Sequence, residues 1–201
     1  MQFTAITRTV SAKSGALIRV SEPMLLLSEE EEKEYPGISA FRAFYEAYLS
    51  AFERLGGSFS SVVASARGAV LSCYVSVKWE IVAFREGRAV QYTWRAQTWD
   101  LREGTVLSPA DLLISPSHPE CGRLHAWEKA KVFGGLRRGD VARGWFFDDD
   151  ELHFFSVDRC KADLASLRRS ALAATVREER YPLSISRLLV PDRAGEGMQR
   201  P

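Results

Sequence analysis

The side chains best equipped for chemistry in this 201-residue sequence lie in one short stretch: Ser117, His118, Cys121 and His125, with Asp111 upstream. A nucleophile, a base and an orienting acid are the parts of a hydrolytic triad, which works only where they converge in space. His118, Cys121 and His125, at spacings of three and four, are also ligand types that zinc accepts. A closed structural zinc site needs four ligands, however, and no fourth is adjacent in sequence. His118 stands between Ser117 and Pro119 in what reads as a loop, and a helical pattern follows it. A surface loop leading into an ordinary helix is the preferred account. A small hydrolase or metal-dependent enzyme using His118, Cys121 and His125 is the alternative function. No catalytic residue, metal ligand or cofactor is assigned.

The remaining polar groups fit structural roles as well as chemical ones. Asp148-Asp149-Asp150-Glu151 gathers oxygens that a divalent cation could use, but it lacks the alternating acids, central glycine and distal glutamate of an EF-hand loop. A soluble hairpin tip is the simpler reading, with His153 beside it as a half-exposed structural residue. Asp100 and Asp111 suit a turn former and a helix-start acid better than a general acid/base pair. Gly134-Gly135 and the Gly195/Gly197 pair lack the strand-before, helix-after setting of a phosphate loop. Arg137, Arg138 and Arg143, then Lys161, Arg168, Arg169, Arg177 and Arg180 along an expected late helix, could touch phosphates with Trp145 nearby. They line up on no single periodic face, so a solvated surface is preferred. If any proved exposed, Trp94, Trp99, Trp127 and Trp145 would be the anchors for a partner, because aromatic residues dominate interface hot spots.

Composition sets the frame for these groups. With 46% hydrophobic, 26% charged and 11% aromatic residues, the chain is of ordinary globular type. A chain this long buries roughly 70% of its unfolded surface. It therefore builds a core without disulfides or metals, and collagen, coiled coil, disulfide knot and wholesale disorder are excluded. Lys+Arg 27 against Asp+Glu 26 leaves a net charge of +1, so no global field draws the chain to nucleic acid or anionic lipid. The N-terminus carries no continuous apolar signal segment, and Met24–Leu27 is far too short to span a bilayer. Cys73, Cys121 and Cys160 are an odd, widely spaced set, which fits a reducing compartment. The expectation is a cytoplasmic protein without a membrane segment, whose partner is another protein.

Several elements position these residues. Alternation over 2–10 and 16–27 around Ser14-Gly15 predicts a hairpin, with Pro23 confined to an edge or a bulge. The run Ser28–Glu34 caps a helix or loops over the surface. From Ile38 to Leu55, Phe41, Phe44, Tyr45, Tyr48, Leu49 and Phe52 form one apolar stripe that predicts a helix across a sheet, stopped by Gly56-Gly57. Residues 69–84 and 89–101 alternate as a long antiparallel hairpin about Arg85-Glu86-Gly87-Arg88, with glycine where positive φ is needed. Ser108-Pro109-Ala110-Asp111 predicts a short helix start, 120–133 a second amphipathic helix, 145–155 a second hairpin, 161–177 a late helix and 181–190 a last strand. One domain over 1–190 and a frayed tail over 191–201 is the expected organisation.

Residues 35–155 resemble the C-terminal, extracellular domain of RsiV-type anti-sigma factors, a domain-of-unknown-function family. The resemblance is carried by Tyr35-Pro36 before the amphipathic helix, by the phrase TWDLREGTVLSPADLL at 98–113, and by the turn and aromatic strand from Asp148 to Phe155. Within the phrase, Asp100, Leu101, Gly104, Leu107, Asp111 and Leu112 match the family's spacing. The resemblance implies an α+β fold, an antiparallel β-sheet meander with helices packed on one face. It implies no catalytic motif, and its best-described members are membrane-tethered and bind lysozyme as a signal. This chain departs from them in showing no transmembrane or sigma-binding region ahead of the domain, and a basic helical pattern around Lys161 to Arg180. The expected function is a non-enzymatic binding or regulatory module, similar to the ligand-sensing domain of that family.

Overall fold

The computed structural model describes residues 1–53, 59–107, 141–148, 151–158 and 176–184. Strands β1 (Gln2–Ser11) and β2 (Leu17–Leu26) form the expected hairpin. Its turn uses Gly15 at φ +83°, a value that disfavours any side chain. Pro23 pairs with Ala5 of β1, beyond the Leu17–Val20 stretch where β2 also pairs with β3, so it sits on a locally free edge as expected. The acidic run is helical: α1 (Glu29–Glu34) opens on a reciprocal capping box between Ser28 and Glu31. Helix α2 (Ile38–Glu53) follows, then β3 (Ser61–Leu71), β4 (Tyr74–Arg85), β5 (Arg88–Asp100) and the short β6 (Thr105–Leu107). These strands make one sheet in the order β1-β2-β3-β4-β5-β6, and β7 (Val141–Asp148), β8 (Glu151–Asp158) and β9 (Val176–Ser184) make a second.

Among the described residues the fold is mostly β, with two helices, and three expectations need correction. The large sheet is mixed rather than antiparallel throughout, because β2 and β3 run parallel from Leu17↔Ser61 to Val20↔Ala64. The connection between them contains both helices and is long enough for the crossover that parallel pairing requires. The strand expected at 69–84 is two strands folded at Ser72-Cys73. Leu71 lies opposite Tyr74, and Ser72 takes φ +54° without glycine to announce the turn. Val70 therefore shares a face with Val75 instead of opposing it. The helical reading of 161–177 and the strand reading from 181 meet in β9, which begins at Val176. Arg177 and Arg180 therefore lie on a strand paired with β8. The second hairpin, β7–β8, pairs as expected from Val141↔Asp158 to Asp148↔Glu151. No helix among the described residues is long and apolar enough to cross a membrane.

The two faces of the large sheet carry different layers. One face presents Ile18, Val20, Val62, Ala64, Val75, Val77 and Trp79, and α2 covers it with Ile38, Phe41, Tyr45 and Phe52. The aromatic stripe of α2 meets Trp79 and Trp99 in tilted and edge-on contacts, with ring centroids 5.3 to 6.4 Å apart. Each such pair adds about 0.5–1.5 kcal/mol beyond its area. The opposite face packs against the second sheet through Trp94, Phe146 and Phe155. A buried polar junction fixes that contact: Ser76 Oγ accepts the Phe147 N–H at 3.1 Å and lies 2.9 Å from Thr98 Oγ1.

One joint holds α2 to the sheet, and it explains two fragments of sequence. The Gly37 N–H donates to the Leu101 carbonyl at 2.7 Å, and Leu101 is fully buried. Asp100 turns the chain by accepting the Arg102 N–H at 2.8 Å, and Gly104, at φ +68°, packs against Gly37. Tyr35-Pro36-Gly37 and Asp100-Leu101-Arg102-Glu103-Gly104 are thus the two halves of one backbone contact. Asp100 is a buried turn former, as its sequence setting suggested.

Candidate functional site

A polar row on an otherwise apolar face marks the site. In register with β4, residues Gln91, Thr93, Arg95 and Gln97 of β5 lie opposite Ala83, Ile81, Trp79 and Val77, on the face that α2 covers. β6 pairs with β5 only at Thr98–Asp100, so 91–97 runs along an edge of the large sheet, with Gln91 and Arg95 exposed and Thr93 buried. Here α2 lies over β3, β4 and Trp99, and its C-terminal half leaves part of β5 open. The result is a cleft of about 250 Å³. Val62, Ile81 and Ala83 form its floor, Tyr48, Ala51 and Phe52 its helical wall, and Gln91, Thr93 and Arg95 its polar side.

Electrostatics in the cleft centre on Arg95 and Tyr48. Arg95 is exposed, and its guanidinium carbon lies 5.8 Å from the centre of the Tyr48 ring, a cation–π arrangement. The Tyr48 hydroxyl is buried without a hydrogen-bond partner. Burial pushes its pKa above the ordinary tyrosine value, and the neighbouring Arg95 charge opposes that shift without cancelling it. The cleft thus offers an apolar floor, a fixed cation and a neutral phenol. That set holds an apolar group with an attached carboxylate or other acceptor, and it supplies no nucleophile paired to a base.

The sequence candidates are placed as follows. Trp94, Trp99 and Trp145 are only 7%, 4% and 9% exposed, so the exposure that would make them anchors is not met at these three positions. Trp99 packs under α2, and Trp94 packs against the second sheet. Trp127, His118, Cys121, His125 and Asp111 lie outside the described residues, as do Asp149 and Asp150 of the acidic tip. His153 is not half-exposed: it is 5% exposed and stacks on Phe146, with centroids 4.8 Å apart and planes 9° from parallel. The large sheet packs over the face of β8 that its alternation had left to solvent, through the same contact that joins Trp94 to Phe146 and Phe155. Cys73 is a buried thiol in the β3–β4 turn. Among the described residues no three His, Cys, Asp or Glu side chains gather in a way that could hold a metal ion.

The alternation over 89–101 puts Gln91, Thr93 and Arg95 on one strand face and the α2 stripe includes Tyr48, yet neither pattern by itself gives them a role. The signal was weak: β6 pairs with β5 only at Thr98–Asp100, so 91–97 is an edge of the large sheet, where polar side chains are ordinary. Finding it required knowing which face α2 covers.

No family model matches the chain, and no curated protein matches it. Among solved structures, the chain is similar to a DUF3298 family protein from Pseudomonas aeruginosa PAO1, at 14% identity and a TM-score of 0.43, covering 77% of this chain and 82% of that one. It is also similar to a DUF3298 family member from Bacteroides fragilis NCTC 9343, at 11% identity and a TM-score of 0.39, with the same coverage of 77% and 82%.

Proposed function

We propose that this chain is a non-enzymatic binding module whose partner is a protein, and that the partner places an apolar side chain in the cleft under α2 and an acceptor against Arg95. The observation that carries the reading is the polar row Gln91, Thr93 and Arg95 beside the apolar floor. An RsiV-like role in ligand sensing is the finer form of the proposal. It is supported by the phrase at 98–113 and by Tyr35-Pro36, whose described residues build the joint that seats α2 and so shapes the cleft.

The test compares the full chain with Ala51→Trp, which fills the cleft from an exposed helix position, and Arg95→Glu, which inverts its charge. A partner captured from the native host and then purified should bind both variants at least about ten-fold more weakly, as expected when a buried anchor contact is lost. Lys13→Glu, in the exposed β1–β2 turn, should bind as the wild type does. Unchanged binding by both cleft variants would overturn the proposal. So would zinc near one equivalent per chain together with a turnover that Cys121→Ser abolishes.

A further inference from the structure

A second cavity lies between the two sheets, on the face of β4 and β5 opposite the cleft. It measures about 220 Å³, and its charged lining is Arg67 of β3, Lys78 of β4 and Asp148 of β7. Arg67 and Lys78 are direct cross-strand partners, so two cations project side by side. Adjacent like charges on a sheet destabilise it unless something answers them.

Lys78 is held more firmly than a surface lysine. Its side chain is 12% exposed, with the ammonium 4.1 Å from the Trp94 ring centre and 4.5 Å from that of Phe146. Its carboxylate neighbour, Glu80, stands 3.8 Å away, at the limit of an ion pair. The aromatic rings fix where the ammonium points without neutralising it. Arg67 and Asp148 line the same space, and neither forms an ion pair among the described residues. A simple anion would meet the two cations and also the Asp148 carboxylate. A ligand that carries both charges answers all three groups.

We propose that this cavity binds a small zwitterion, an α-amino acid or its close analogue. Its carboxylate lies between Lys78 and Arg67, and its ammonium faces Asp148. The volume equals about seven waters at roughly 30 Å³ each, room for an amino acid with a short side chain together with a few waters. Lys78 gives the site its rigidity, Arg67 supplies the planar fork that pairs with a carboxylate, and Asp148 discriminates against plain anions.

The test titrates the ¹⁵N-labelled full chain with L-alanine, N-acetyl-L-alanine, which lacks the ammonium, and L-alaninamide, which lacks the carboxylate. L-alanine should shift the amide signals of Ser76, Lys78 and Phe147 saturably, and the two analogues should bind at least ten-fold more weakly. Lys78→Met, which keeps the apolar stem between the rings, and Arg67→Gln, at an exposed position, should each weaken alanine binding by a similar factor. Asp148→Asn should erase the preference for alanine over its N-acetyl form. The absence of any saturable shift at millimolar alanine would overturn the proposal. Equal binding of the N-acetyl form by the wild type would overturn it too, as would undiminished binding by a folded Lys78→Met or Arg67→Gln chain.

Discussion

Replacing Gly37 by alanine tests whether the α2 joint is as tight as its geometry requires. A Cβ built on Gly37 falls 2.5 Å from both Gly104 Cα and the Leu101 carbonyl oxygen. Ordinary contacts lie near 3.5–4.0 Å, so the two backbones must part by about 1 Å. Both obstacles are main chain, and no side chain can swing aside. The same movement stretches the 2.7 Å bond from the Gly37 N–H to the Leu101 carbonyl past useful length. Overpacking costs about 1–3 kcal/mol, and a buried carbonyl left without its donor about 1–3 kcal/mol more. A less flexible unfolded chain returns at most about 1 kcal/mol. The net expectation is a loss of about 1–6 kcal/mol, centred near 3, which at a urea slope near 2 kcal/mol/M lowers the midpoint by about 1.5 M. Gly87→Ala is the control. Gly87 has φ +75° and no atom within 4 Å of its built Cβ, so only the backbone penalty of about 1–2 kcal/mol applies. Gly37 is not among the positive-φ residues, so its need for glycine is crowding alone. Equilibrium urea unfolding followed by tryptophan fluorescence measures both variants. If Gly37→Ala loses no more than Gly87→Ala, α2 is not clamped at this point and the reasoning fails.

Two further substitutions probe buried polar atoms. Ser76→Ala removes the acceptor of the Phe147 N–H and should cost about 1–3 kcal/mol in urea unfolding, with faster hydrogen exchange at the Phe146 and Phe147 amides; a neutral result would mean the sheets are not pinned there. Burial holds the Tyr45 phenol protonated above the ordinary tyrosine range, and its hydroxyl lacks a hydrogen-bond partner, as do the indole N–H groups of Trp79 and Trp99. The native state then binds the phenolic proton more tightly than the unfolded state. Stability is full below about pH 10 and falls as pH rises beyond it. Tyr45→Phe should be neutral or stabilising near pH 7 and should flatten that alkaline fall, as urea midpoints at pH 8 and 11 would reveal; an unchanged alkaline slope would refute the assignment.

Local pattern carried the sequence reading as far as local physics determines structure. The α2 stripe from Phe41 to Phe52, the β1–β2 alternation and the Glu86-Gly87 turn were legible because each depends on neighbours within a few residues. Glu86 and Gly87 indeed have φ of +51° and +75°. What escaped was set by distant partners. Parallel pairing of β2 with β3 leaves no mark in either strand. The small residues of Ser61–Gly68 alternate too weakly to announce β3, and the fold at Ser72-Cys73 uses none of the residues that favour positive φ. His153 is buried by a sheet-to-sheet contact that its own strand does not encode. The cleft was half visible. Gln91, Thr93 and Arg95 were on one face, but polar residues on a strand face ordinarily mean solvent, and only α2 turns that row into a wall.

Both cavities depend on one extra residue in β5. At the turn end Arg85 pairs with Arg88 and Phe84 with Ala89, while the next pair along β4 is Ala83 with Gln91, so Val90 is bulged out of the ladder. The turn at Glu86-Gly87 fixes one register, and the pairing of Trp99 with Val75 fixes another that differs by a single residue. Strand side chains alternate with period two, so without the bulge one of these registers would have to give way, and every β5 side chain between them would change face. Arg95 and Gln91 would turn away from α2, leaving the cleft without its polar side. Trp94 would turn away from Lys78, and the ammonium would lose the ring that aims it. The two sites share strands β3 and β4 but no side chain; β5 walls the first with Gln91, Thr93 and Arg95 and aims the ammonium of the second through Trp94, and Val90 is what allows it to do both.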